Sequence, residues 1–223
     1  VKIGTARNII TPILEKTGKN FEIAVCPERT LEGQALDELN SLPQIIGADS
    51  QSTLFRAGKI FNFLTPTILR VNSLETAEVI KLVDNTYRDV MFGFANEVAR
   101  LCDAVGISAH EVIKSGKLGY ERTNVASPGP VGGPCLEKDP HILAESANSY
   151  GIDLDITPAS RRVNERQPRE VVNFIKKTSR LKKDFPSQPK ISLLGIAFKG
   201  KPETNDLRGT VAKPILDLIK KEF

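Results

Sequence analysis

Apolar residues recur at spacings of three and four along one stretch of the chain: Val79, Val83, Tyr87, Val90, Phe94, Val98 and Leu101. That is the period of a helix burying one face. Ser73 ahead of the run is a good N-cap, with Thr76 and Glu78 in the first turn, and Gly106 is a stop. The pattern predicts one helix from Ser73 to Ala104, longer than a small domain needs, with an apolar face suited to a partner chain. Further helices are predicted over Ile9–Thr17, Ser52–Phe63, Lys138–Ser149, Ile156–Lys177 and Val211–Ile219, and one capped by Ser108 that runs through Lys114. Short continuous apolar runs read as buried strands: Phe21–Cys26, Gln44–Gly47, Ile68–Val71 and Ile191–Ala197. Gly116–Gly133 reads as loop, and Phe185–Lys190, with two prolines, as a linker. The organisation is a helical middle between two α/β ends, with no internal repeat.

Composition narrows the function classes. The 223 residues are 40% hydrophobic and 26% charged, ordinary for a folded protein with ample core. A net charge of +4 suits a phosphorylated small molecule and is too diffuse for a nucleic-acid footprint. Three cysteines argue against a disulfide framework and for a reducing compartment. No apolar run approaches transmembrane length. Only His110 and His141 are present, without metal-ligand spacing, so no metal site is expected.

Candidate chemistry centres on Pro128-Gly-Pro-Val-Gly-Gly-Pro-Cys-Leu-Glu-Lys-Asp-Pro140. Glycines let backbone approach a ligand closely. With a helix starting near Cys135, Asp139 falls one turn on along the same face, and the thiol sits where the helix dipole favours thiolate. A lone cysteine after a Gly/Pro turn otherwise reads as a small buried hydrophobe. Two more segments add weight. Cys26-Pro-Glu-Arg-Thr-Leu-Glu-Gly-Gln-Ala35 follows an apolar run, the place where open α/β sheets bind ligands. Lys81 and Asn85, four apart in the long helix, share a face and suit gripping one small group; their plain alternative is a solvated pair.

Taken together, these segments resemble the UDP-glucose/GDP-mannose dehydrogenase family. The Cys-Pro-Glu-Arg-Thr form and the Asn85-Thr-Tyr-Arg-Asp-Val90 helix are most similar to its UDP-N-acetylhexosamine branch. Leu194-Gly-Ile-Ala-Phe-Lys-Gly200 and Asp206-Leu-Arg-Gly-Thr210 extend the match over nearly the whole chain. Pro134 departs from the His or Ser that often precedes the cysteine, and two extra residues separate Phe198 from Arg208. The resemblance implies a fold that mixes α/β and α: an all-helical central dimerisation domain at 66–184, between partial Rossmann-like α/β domains at 1–65 (NAD-binding) and 185–223 (UDP-binding). It implies NAD-dependent oxidation of the C6 alcohol of a UDP-N-acetylhexosamine to the uronic acid, in the cytoplasm, within polysaccharide biosynthesis. Cys135 matches the nucleophile that forms a thiohemiacetal and then a thioester. Asp139 matches the base for hydrolytic water, Lys81 and Asn85 the pair at the C6 oxygen, and Glu28 a glutamate near the reacting carbon. Leu31, Glu32, Gly129, Gly132, Gly133, Phe198 and Lys199 match substrate contacts, and Lys138 and Arg208 cofactor contacts. The implied partners are a UDP-sugar and a second copy of the chain, with no nucleic acid and no membrane.

No Gly-x-Gly-x-x-Gly occurs in the sequence, so the main cofactor turn of such enzymes is missing. The chain therefore reads as a middle fragment, unable to oxidise a nucleotide sugar by itself. A non-catalytic dimerisation module that keeps the central domain is the alternative. A cysteine hydrolase pairing Cys135 with His141 is a third reading, opposed by a spacing of six that puts the two on different faces of a straight helix.

Overall fold

The structure, a computed structural model, describes residues 1–223. It opens with a π-helical turn, Ala6–Ile10, that runs into α1, Thr11–Glu15. Then follow α2 (Ala35–Ser41), β1 (Gln44–Gly47), α3 (Gln51–Phe61) and β2 (Ile68–Val71). The helical middle comprises α4 (Leu74–Val105), α5 (Ala109–Lys117), α6 (Asp139–Asn148), α7 (Ile156–Glu165) and α8 (Gln167–Arg180). The last element is α9, Ala212–Glu222. Helices dominate the centre and an α/β arrangement opens the chain, as expected. Two compact units result: Val1–Asn85 with His141–Asp153, and Thr86–Pro140 with Leu154–Phe223.

In the first unit β1 and β2 pair in parallel, Gln44 opposite Ile68 and Gly47 opposite Val71. Parallel neighbours need a crossover, and α3 provides it, started by Ser50, whose hydroxyl accepts from Thr53 N. Ile46, Ala48, Leu54 and Ala57 form the core there, with Ala24, Cys26, Phe61 and Ile68 packed around them. The start of the π-helical turn ahead of α1 is tied down by a buried carboxylate. Glu78, 4% exposed, accepts from Gly4 N at 2.6 Å and Ala6 N at 2.9 Å. In the second unit Val172 of α8 packs with Ile215 and Ile219 of α9.

Local signals set the helix ends. Ser73 accepts from Thr76 N at 3.0 Å, and Gly106, at φ +80°, closes α4 with its N–H on Cys102 O at 2.9 Å. Ser108 caps α5 by accepting from Glu111 N.

Four expectations need correction. Phe21–Cys26 is not a strand: only Val25 pairs, with Gly47 in an antiparallel bridge. Ile191–Ala197 is not a strand either, and Leu194 is 89% exposed. An apolar run becomes a strand only where a neighbour completes its ladder, and neither run finds one along this chain. The single helix expected over Ile156–Lys177 divides into α7 and α8 at Arg166, because Pro168 has no N–H to continue the helical ladder. Finally, Cys135 does not begin a helix; it lies in the turn that leads into α6.

Candidate functional site

Three of the predicted residues cluster in the first unit. Lys81 and Asn85 occupy successive turns of α4, and Lys81 Nζ stands 3.4 Å from Glu28 Oε2. The segment that carries Glu28 is shaped by its own side chains. Thr30 donates to Glu28 through both its main-chain N–H and its hydroxyl, and Leu31 N donates to Glu38 at 2.5 Å. Arg29 fastens the segment by an ion pair to Asp84 at 3.3 Å and a bond to Pro43 O at 3.1 Å. Burial pushes the Glu28 carboxyl up, but hydrogen bonds from Thr30 and the Lys81 charge outweigh it and hold the group below the usual carboxylate range. At neutral pH Glu28 is thus an ionised acceptor beside an ammonium. Leu31 and Glu32 are both half-buried close by in sequence.

The second unit holds the glycine loop, the thiol and the chain's later motifs. Cys135 is exposed, whereas Cys26 is half-buried and Cys102 buried; the buried-hydrophobe reading fits Cys102 and not Cys135. Asp139 N donates to Cys135 O at 2.9 Å, one helical turn, although the turn precedes α6. The Asp139 carboxylate is buried, 4% exposed, and accepts from Lys138 Nζ at 2.9 Å. The sequence expectation that Asp139 lies one turn beyond the thiol therefore holds, by a different local geometry.

The loop itself is clasped by the chain's C-terminal part. Gly133 N donates to Gly209 O at 2.9 Å. Gly133 sits at φ +106°, and a Cβ on it would lie 2.7 Å from the Phe198 ring. A Cβ on Gly132 would fall on the Gly209 carbonyl oxygen. Both positions thus need glycine, one for its backbone angle and both for close approach. The Phe198 ring thus packs on Gly133, and Lys199 Nζ lies 5.3 Å from the Phe198 ring centre. Arg208 is turned to Asp206, 2.6 Å away.

A buried polar cluster stands behind this loop. Asp89 is fully buried and Arg161, Asn164 and Asn96 nearly so. Arg161 Nη1 donates to Asp89 Oδ1 at 2.5 Å and to Leu136 O at 2.6 Å. Asn164 Nδ2 donates to Asp89 O and Oδ1, both at 2.8 Å. Asn96 Nδ2 donates to Asn164 Oδ1 and to Gly129 O, each at 3.0 Å, while its Oδ1 accepts from Gly129 N at 2.7 Å. None of the four is marked as a site residue by the sequence; Asp89 enters only within the Asn85–Val90 motif, and Arg161 and Asn164 share the buried face of α7 with Ser160 and Val163.

A separate concavity of about 710 Å³ in the first unit is lined by Phe21, Cys26, Arg56 and Ile60 among others. Its charged walls neutralise each other, Glu22 against Arg56 at 3.0 Å. It shares only Cys26 with the predicted segments and offers no acid–base set.

A dinucleotide needs a glycine-rich turn for its pyrophosphate. The sequence has no Gly-x-Gly-x-x-Gly, and the two candidate cations, Lys138 and Arg208, are each held by a neighbouring carboxylate.

Comparison with known proteins gives a consistent picture. Residues 1–65 match the UDP-glucose/GDP-mannose dehydrogenase family, NAD binding domain, and residues 75–166 match the central domain of the same family. A UDP-N-acetyl-D-mannosamine dehydrogenase of Campylobacter jejuni is 37% identical over 204 residues, 91% of this chain and 47% of that protein. One from Methanococcus maripaludis is 34% identical over 208 residues, 93% of this chain and 47% of its own length. The solved structure of a UDP-D-ManNAc dehydrogenase from Pyrococcus horikoshii superposes with a TM-score of 0.89 at 30% identity, covering 99% of this chain and 53% of that one. The chain spans about half the length of the curated relatives it matches. With two of that family's domains matched in order and the fold shared along its length, the chain belongs to the UDP-glucose/GDP-mannose dehydrogenase family.

Proposed function

We propose that this chain is the central part of an NAD-dependent nucleotide-sugar 6-dehydrogenase, one that oxidises the C6 alcohol of a UDP-N-acetylhexosamine to the carboxylate with Cys135 as covalent nucleophile. The observation that carries this reading is an exposed thiol at the end of a glycine loop, with a buried carboxylate one turn on. The names of the relatives support the substrate class.

The chemistry follows from the residue types. Two hydrides leave the C6 carbon in turn, and bound NAD supplies the oxidant for each. An alcohol loses its proton as the first hydride leaves, and an ammonium beside the developing alkoxide lowers that barrier; this is the role for Lys81, with Asn85 on the same helix face. Glu28, ionised and within reach of Lys81, is suited to accept a proton directly or through water. The Cys135 thiolate then adds to the aldehyde carbon, giving a thiohemiacetal, which becomes a thioester on losing the second hydride and its hydroxyl proton. Water activated by Asp139 cleaves the thioester, releasing the acid and restoring the thiol. Gly129, Gly132, Gly133 and Phe198 form the wall over the sugar, Leu31, Glu32 and Lys199 add contacts, and Lys138 and Arg208 face the cofactor once released from their carboxylates.

The central helices further suit a two-fold homodimer. On α4, Tyr87, Phe94, Leu101 and Val105 are 55–66% exposed at spacings of seven and four, a stripe that a second copy would cover. The same stripe favours the second reading, an assembly module without turnover.

The decisive experiment is NADH formation by the intact protein with UDP-N-acetylhexosamines. Cys135→Ala is expected to abolish acid formation, and Cys102→Ala to retain it. A Cys135→Ala protein that makes the uronic acid at the unaltered rate would remove Cys135 from the mechanism. An intact protein that sediments as a dimer but never reduces NAD would establish the assembly reading instead.

A further inference from the structure

The cluster of Asp89, Asn96, Arg161 and Asn164 is an expensive way to join two helices. A buried ion pair rarely stabilises more than well-packed apolar side chains of the same volume. What it adds is direction, and two of its members spend their donors on the loop. Asn96 of α4 takes both main-chain polar groups of Gly129. Arg161 of α7 takes the carbonyl of Leu136, the residue bonded to Cys135. The residues between these anchors, 130–135, contain the two close-packed glycines and the thiol. No helix or strand holds this stretch.

We propose that Asn96 and Arg161 are positioning residues for the Cys135 thiol. They fix the two ends of the loop that carries it, and Asp89 and Asn164 form the buried frame that orients them. The proposal rests on the reading of Cys135 as nucleophile. Asn164 joins the anchors: its carbonyl receives from Asn96 and its amide donates to Asp89, which in turn receives from Arg161. The loop is thereby tied at both ends to one continuous hydrogen-bonded frame. Nucleophilic addition is sensitive to such control, since a misplacement of about 1 Å costs on the order of a hundredfold in rate.

The test uses the intact protein and two readouts. Hydrogen exchange comes first and needs no variant. The Gly129 amide lies outside regular structure, yet it is expected to exchange as slowly as the middle of α4; exchange at the rate of an open loop overturns the proposal. In Asn96→Ala, exchange across 129–136 is expected to rise at least about tenfold, from loss of two hydrogen bonds, with α8 and α9 unchanged. Asn96→Asp keeps the acceptor for Gly129 N–H and is expected to fall between. The second readout is turnover. Asn96→Ala is expected to lower kcat by about tenfold or more while KM for NAD stays within about twofold; a purely structural role would lower the yield of folded protein and leave kcat per folded molecule unchanged. Unaltered kcat and loop exchange in folded Asn96→Ala overturn the proposal. Failure of the underlying reading looks different: Cys135→Ala would remain active while the loop-exchange results stood.

Discussion

Removing the Asp89 carboxylate is the most informative single perturbation of stability. Asp89 and Arg161 are 0% and 4% exposed in their side chains and 2.5 Å apart. Asp89→Ala deletes the carboxylate acceptor of Arg161 and one of the two acceptors of Asn164 Nδ2, which keeps the main-chain O of residue 89, and leaves a guanidinium charge inside the fold. Breaking one partner of such a pair costs about 3–5 kcal/mol. Two contacts hold the cost towards the lower end: Arg161 keeps the Leu136 carbonyl at 2.6 Å, and its Nε faces the half-exposed Glu165 at 3.4 Å. A loss of about 3 kcal/mol is a large part of the 5–15 kcal/mol typical of a folded domain. With a urea slope of about 2 kcal/mol/M, the midpoint should fall by about 1.5 M. The chain has no tryptophan, so far-UV circular dichroism is the suitable probe. The double variant Asp89→Ala/Arg161→Met removes the stranded charge and should recover at least about 1 kcal/mol relative to Asp89→Ala alone. A midpoint shift below about 0.3 M for Asp89→Ala, or a double variant weaker than the single by the full cost of Arg161→Met, would refute the argument that this pair is buried and coupled.

Other outcomes follow from the same structure. Gly133→Ala should cost about 2–4 kcal/mol in urea unfolding, from a strained backbone angle and overlap with Phe198, whereas Gly116→Ala, inside α5 with nothing within 4 Å of a new Cβ, should stabilise by up to about 1 kcal/mol. Alkylation of the native protein at neutral pH, followed by peptide mass spectrometry, should modify Cys135 first. Cys26 should follow, because burial pushes its thiol pKa up, and Cys102 should react only on unfolding. Acid should weaken the first unit. The carboxyls of Glu75 and Asp49, each held down chiefly by hydrogen bonds from Arg7, and that of Glu28 all bind protons less readily when folded. Their contribution is complete above the unfolded carboxylate values of about 4 and is lost as pH falls through the lower folded values, so thermal midpoints should drop across that window; an unchanged midpoint there would contradict the Arg7 pairing.

Legibility of the fold from sequence tracked locality. The limits of α4 were readable because Ser73 and Gly106 act on their own turns, and β1 and β2 because short β-rich runs found each other across one helix. The runs at Phe21 and Ile191 misled because strand formation depends on a partner that no local pattern reveals. The break between α7 and α8 was signalled by Pro168 but masked by an apolar face that continues through it. At the site, Cys135, Asp139 and the glycines stood out by type and spacing, while the contact of Lys81 with Glu28 joins two motifs that no local spacing relates. Asp89, Asn96, Arg161 and Asn164 did not stand out, since a polar residue inside an amphipathic helix reads as solvated until its distant partners are known.

The main-chain bond from Gly133 to Gly209 has a bearing on synthesis. A ribosome delivers residues in order, at about 5–20 per second, so Gly133 emerges several seconds before Gly209. During that interval the thiol of Cys135 rides on a strap with one edge unfastened, and closing so long a span carries an entropic cost that only the finished contact offsets. Nascent chains are thus most open to oxidation or mispairing at Cys135 before Gly209 has emerged, and the glycine loop takes its final shape only once that contact closes.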